Sequence, residues 1–363
     1  MLARTQCRGA SSTAFAYTPS SLELEWFPPH SQRGQPHAVG RVCEIARMQL
    51  TPRVDAWLRF ANASIGDATR EPDADERAAL SSMRCDDGRV EYLEPLTGIA
   101  RHPYAKCGCV PREKFSVNPT SLDYLVLQNL CRRAAETSHP PTLTLPAGRR
   151  APRTLFFDLG SGTFSNGEPV QLGRGNGGGL GSKGGSGGPS IPLFAALYKR
   201  SCIEFDAIYA WEYSPFSPRR YWKDVPVEMR AKLHFFNVPV ESEPHPNGVL
   251  ALLREAATPD DFVVLKVDVD HSAIEESVVT GIAADPHLAS LVDELFFEYH
   301  FYGEPHVEGR PFNPYWGVHN DTRHGPVPTS TVPAALRTNA TADTALHLMH
   351  RLRRRGIRAH FWI

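Results

Sequence analysis

The sequence predicts an α/β fold, a doubly wound and mostly parallel sheet that follows an irregular N-terminal extension. Three observations lead there. From residue 154 onward, short apolar runs alternate with segments of helical spacing, the pattern of strands joined by crossover helices. The run Thr154–Leu159 is almost wholly apolar rather than alternating, as a parallel strand covered on both faces must be. It leads straight into Gly160-Ser161-Gly162, where glycine lets the backbone turn sharply and approach a ligand closely.

Taken in order, residues 1–75 are rich in Pro, Arg, Ser and Ala with little periodicity, and read as irregular or partly disordered. Residues 76–153 read as a helical and loop extension. It contains a short helix near Glu76–Met83, an ordered loop over Tyr92–Pro103, and a helix over Thr120–Ala135. In that last helix Leu122, Leu125, Val126, Leu130 and Ala134 have helical spacing. Pro140, Pro141, Pro146 and Pro152 then break it. Residues 154–363 read as a Rossmann-like domain. Its strands are predicted at Thr154–Leu159, Ala207–Trp211, Leu233–Val238, Phe262–Val267, Glu294–Tyr299 and Ile357–Trp362. Its helices are predicted at Pro192–Lys199, Gly248–Ala257, Ser272–Ala283 and Asp343–Arg355. Between the first strand and its helix lies Gly173–Gly188, a glycine-dominated stretch that reads as a flexible insertion.

The net charge of −1 provides no overall field for nucleic acid or an anionic membrane surface. No apolar run reaches the roughly 20 residues that span a bilayer, so no integral membrane segment is expected. The first 22 residues carry Arg4 and Arg8 but no acid, as an organellar transit segment does. Sequons at Asn62, Asn320 and Asn339 would instead suit a secretory-pathway lumen, and a cytoplasmic location stays open. The seven cysteines show no zinc spacing with histidine. Cys85, Cys107 and Cys109 lie in a loop-rich stretch and read either as a disulfide site or as free thiols.

Chemistry-bearing residues gather where strands end. Asp158, Gly160 and Gly162 would line the crevice at the carboxyl end of the first strand. The second strand ends in Glu212, placed as an acid that accepts hydrogen bonds from ribose hydroxyls. The fourth delivers Asp268, Asp270 and His271, although one acid, Asp268, also reads as an N-cap of the helix near Ser272. On the fifth, Glu298 and His300 share one face. Trp316, Gly317 and His319 follow in a Pro-rich loop that suits an aromatic substrate wall.

Asp-Leu-Gly-Ser-Gly162, the strand ending in Trp-Glu212, the run Phe-Phe-Asn-Val-Pro-Val at 235–240 and Leu-Lys-Val-Asp-Val-Asp-His271 resemble successive motifs of class I S-adenosylmethionine-dependent methyltransferases. The FkbM-like subtype, whose fourth strand reads like Lys-Ile-Asp-Val-Glu, is the nearest. The Glu-Leu-Phe-Phe-Glu-Tyr-His300 strand and the chain's final segment are similar to those of a group of algal and protist proteins. The resemblance covers roughly 154–363, with the 92–107 loop shared by that group. Asp270-His271 departs from the usual Glu-Gly, and the Gly-rich insertion follows the first motif.

The resemblance implies S-adenosylmethionine as cofactor. Asp158, Gly160 and Gly162 would approach its methionine part, with Ser161 in the same cofactor-binding set. Glu212 would hold the ribose, and Asp268 would lie near the methyl-transfer centre. An O-methyltransferase acting on a hydroxyl, such as that of a small molecule, sugar or glycan, is the expectation, with no metal. The acceptor must lose a proton as it attacks, and Asp270, His271 and His300 are candidate bases. Two rivals are an Asp-x-Asp glycosyltransferase, chelating a cation through Asp268 and Asp270, and a binding module that kept the fold without turnover. A turn after Asp268 is expected to leave it beside the cofactor. Asp270 and His271 would then face the acceptor, since residues two apart on a continuing strand would share a face and repel.

Overall fold

The computed structural model describes residues 16–26, 51–66, 70–84, 90–96, 122, 124–127, 151–165, 189–200, 203–246, 248–299, 320–321, 325–326 and 342–362. The extension carries β1 (Ala16–Thr18), α1 (Ser21–Trp26), α2 (Thr51–Gly66), α3 (Ala74–Ala79), β2 (Ser81–Arg84) and β3 (Val90–Leu93). The chain continues with β4 (Thr154–Leu159), α4 (Ser190–Arg200), β5 (Ala207–Trp211), α5 (Pro218–Lys223), α6 (Val227–Arg230) and β6 (Leu233–Phe236). Next come α7 (Val249–Ala256), β7 (Phe262–Val267), α8 (Ser272–Ala284), α9 (Pro286–Leu291) and β8 (Glu294–Phe297). Two short strands, β9 (Asn320–Asp321) and β10 (Gly325–Pro326), precede α10 (Ala342–Arg354) and β11 (Arg358–Phe361).

A six-stranded, wholly parallel sheet runs in the order β11-β8-β7-β4-β5-β6. The chain builds outward from β4 to β6, then returns to lay β7 against the other side of β4. This is the order of doubly wound sheets, and its direction reverses between β4 and β7, where such sheets open a ligand crevice. Successive side chains of β4 point to opposite faces. Leu155, Phe157 and Leu159 pack with α7, α8, α9 and α10. Phe156 packs with α4, α5 and residues of the extension, including Trp57, Phe60 and Tyr124. Each face is therefore covered, which is why the strands can be apolar throughout. Strands β4, β5 and β7 have the predicted limits; β6 and β8 stop before the ends predicted for them.

The extension holds more order than its composition suggests. Helix α2 falls inside the stretch read as irregular, because Trp57, Phe60 and Ala61 recur at helical spacing and are buried under the sheet. The helix expected over Glu76–Met83 ends at Ala79, and Ser81–Arg84 is a strand with alternating burial. Val90–Leu93, overlapping the predicted loop, pairs with it. The helix expected over Thr120–Ala135 does not form at Leu122 or Tyr124–Leu127; the rest of it lies outside the described residues. Backbone groups there are taken by side chains instead. Trp57 Nε1 donates to the Tyr124 carbonyl at 2.8 Å, Arg358 to that of Val126, and Val126 N–H donates to Glu94. Asn62 lies within α2, its side-chain amide donating to the Leu58 carbonyl. Cys85, Cys107, Cys109, Asn339 and the Gly173–Gly188 insertion lie outside the described residues.

The extension is joined to the sheet by buried charge. Arg353 of α10, wholly buried, donates to the Glu94 carboxylate, the Glu94 and Ala359 carbonyls and the Tyr17 hydroxyl. Glu23 accepts from Tyr17 and Ser81 and pairs with His350, while His360 pairs with Glu94. Burial alone would raise both carboxyls, but His350 and Arg353 hold Glu23, and His360 and Arg353 hold Glu94, below the usual range. A depressed folded-state pKa contributes stability that is full above the unfolded value, about 4.3 for Glu. It is lost as pH falls through the folded value. Urea titrations should therefore show stability dropping below about pH 4. Exchanging both Glu23 and Glu94 for Gln should flatten that acid limb.

Candidate functional site

The site grows from strand register. Asp158 of β4 lies directly beside Lys266 of β7, on the face toward α4. Both are buried, and Lys266 Nζ sits 3.3 Å from Asp158 Oδ1 and 3.0 Å from Asp268 Oδ2. The same ammonium donates to the Gly160 carbonyl at 3.0 Å. Gly160 has a φ of +80°, and a Cβ there would stand 1.6 Å from the Asp268 carbonyl oxygen. Only glycine allows the turns after β4 and β7 to come this close. Ser190, at the start of α4, donates its hydroxyl to Asp158 Oδ2.

Beyond β4 the Gly-x-Gly turn leans on β5. Gly160 N–H and Ser161 N–H donate to the Trp211 carbonyl, and Gly162 N–H donates to Glu212 Oε2 at 2.9 Å. The other Glu212 oxygen accepts from Ser214 N–H at 2.7 Å, and Asn237 donates to the Glu212 carbonyl. Tyr221 of α5 is buried and stacks on Phe235. Burial and the nearby carboxylates of Asp158 and Glu212 push its phenol well above the ordinary value.

The chain turns after β7 as expected. Asp270 adopts a φ of 55°, in the left-handed region that Asp tolerates. His271, not Asp268, occupies the N-cap of α8 and makes no side-chain cap, so the N-cap reading of Asp268 is set aside. The turn does not move the two acids far apart. One ligand oxygen from each of Asp268, Asp270 and Glu298 lies within 4.8 Å of the others. Glu275 of α8 reaches back to accept Val269 N–H at 2.9 Å, and Trp362 Nε1 donates to Asp268 Oδ2 at 3.0 Å.

Protonation follows from this crowding. Burial alone would lower the Lys266 pKa, but Asp268, Asp158 and Glu298 outweigh it and keep the ammonium charged. Burial pushes Asp158 above the usual carboxylate range, and Lys266, which also pairs with Asp268, offsets only part of that rise. Desolvation and then Asp268 raise Asp270. Burial, with Asp268 and Asp270 adding, raises Glu275 much further.

The structure thus brings together Asp158, Gly160, Ser161, Gly162, Glu212, Asp268 and Asp270, with His271 next in the chain. His300, Trp316, Gly317 and His319 lie outside the described residues. Lys266, Tyr221, Glu275 and Trp362 escaped the sequence reading. Of these only Lys266 carried a signal, as a lone charge in an otherwise apolar strand. No protein family, curated protein or solved structure matches this chain.

Proposed function

We propose that the protein is an S-adenosylmethionine-dependent O-methyltransferase acting on a hydroxyl acceptor, a sugar or glycan being the class we favour. The supporting observation is the charge at the crevice. Asp158, Glu212, Asp268, Asp270 and Glu298 converge around the Gly-x-Gly turn, with Lys266 the buried ammonium among them. Such an edge repels phosphate and attracts a cation. S-adenosylmethionine carries a sulfonium and an ammonium, and when bound it supplies an electrophilic methyl group. On this reading Glu212 accepts from ribose hydroxyls, and Gly162, with a φ of 62°, lets the turn approach the ligand closely. Asp268 faces the transfer centre. On this reading Asp270, held above the usual carboxylate range by burial and then by Asp268, or His271 takes the hydroxyl proton.

One observation favours a second reading. The Asp268, Asp270 and Glu298 oxygens are close enough to share a divalent cation through hard oxygen ligands, as in an Asp-x-Asp glycosyltransferase. The Asp158–Gly162 turn and Glu212, joined by the Gly162 N–H, have no role in that reading, so it ranks lower. Calorimetry separates the two: tight binding of S-adenosylmethionine without metal supports the first, and binding of a UDP-sugar only with Mn²⁺ overturns it. If neither ligand binds, both enzyme readings fall, leaving the non-catalytic module. In the same assay Glu212→Ala should weaken S-adenosylmethionine binding by about 1–3 kcal/mol, the scale for polar partners left unpaired. Unchanged affinity would refute the ribose role of Glu212.

A further inference from the structure

Asp268 Oδ2 is held by two donors, Lys266 Nζ and Trp362 Nε1, each at 3.0 Å. Lys266 is its neighbour on β7, but Trp362 follows β11, and β8 lies between β11 and β7. The indole bridges that gap. It packs edge-on to Phe296 of β8 with ring centres 5.7 Å apart, lies against Phe194 of α4 at 5.0 Å, and is 5% exposed. Its backbone N–H donates to the Phe297 carbonyl at 2.9 Å, and Tyr124 of the extension donates its hydroxyl to the adjacent Phe361 carbonyl at 2.7 Å. A buried indole N–H needs an acceptor, and here that acceptor is a site carboxylate.

We propose that Trp362 is a positioning residue for Asp268: the indole and Lys266 together fix the plane of the carboxylate, and the end of β11 belongs to the candidate site. Two donors on one oxygen remove the carboxylate's freedom to rotate about its last bond, so a ligand meets it in one orientation. Because Tyr124 grips the same stretch of chain, the extension contributes to that orientation. The link rests on the cofactor-side role assigned to Asp268 above.

The test uses Trp362→Phe, which keeps a ring but removes the N–H, together with Asp268→Ala and the double variant. In ¹H–¹⁵N spectra of the ligand-free protein, the indole signal lost in Trp362→Phe identifies Trp362. That signal should shift in Asp268→Ala, and an unmoved signal overturns the link. In titrations with S-adenosylmethionine, Trp362→Phe should lose about tenfold in affinity, the scale of a hydrogen bond to a charged group. It should lose nothing further in the Asp268→Ala background, because both changes act through one carboxylate. Equal losses in the two backgrounds would mean a merely structural role and would overturn the proposal. If the wild-type protein binds no S-adenosylmethionine, the cofactor reading falls, and the indole signal alone decides whether Trp362 and Asp268 are coupled.

Discussion

Lys266→Met is expected to destabilise the protein by about 3–5 kcal/mol, the scale for removing one partner of a buried ion pair. Methionine matches the length of the lysine stem, so the loss would not come from a cavity. It would come from Asp158, fully buried, and Asp268, both left without the ammonium that lies 3.3 and 3.0 Å away. Chemical denaturation of wild type and variant measures it. The double variant Lys266→Met, Asp158→Asn should recover part of the loss, because it removes the more deeply buried of the two stranded charges. A single variant as stable as wild type would show that the charges in this cluster are not paired as described.

The second large effect separates Asp268 from Asp270. Asp268→Asn should impair both cofactor affinity and methyl transfer, since this carboxylate is fixed beside the Gly160 turn by Lys266 and Trp362. Asp270→Asn should slow transfer by about 100-fold or more, the scale of a lost general base, while sparing cofactor affinity. The measurements are titration with S-adenosylmethionine and transfer of labelled methyl to a panel of sugar acceptors. Equal loss of cofactor affinity in both variants, or activity restored only by Mn²⁺, would favour the shared-cation reading. Transfer unaffected in Asp270→Asn would move the base role to His271 or His300.

The sheet was legible because its strands are apolar on both faces, and two-sided burial is written into composition alone. Asp158, Glu212 and Asp268 were legible for a related reason: each ends such a run, where a polar residue marks the carboxyl edge. Lys266 was visible as a charge in the wrong place, but its meaning depends on β4 and β7 lying side by side in one register, a long-range fact. Trp362 reaches its acceptor across an intervening strand, and no local pattern reports that. In the extension the error ran the other way. Leu122, Leu125 and Val126 carry helical spacing, yet Trp57, Arg358 and Glu94 claim the backbone groups that a helix would have used. The periodicity of Trp57, Phe60 and Ala61 was present but sat within a composition that resembles disorder.

The buried guanidinium of Arg353 limits how the chain can be divided. A fragment covering residues 154–363 would keep every strand of the parallel sheet. It would also lack Glu23, Glu94 and Tyr17, stranding a cation inside the protein. Beside α4, which still covers Phe156 and Phe296, the part of that face now covered by Trp57, Phe60 and Tyr124 would open to water as an apolar wall. Copies of such a fragment should associate through that wall, and a piece that also carries Tyr17, Glu23, Trp57 and Glu94 should not.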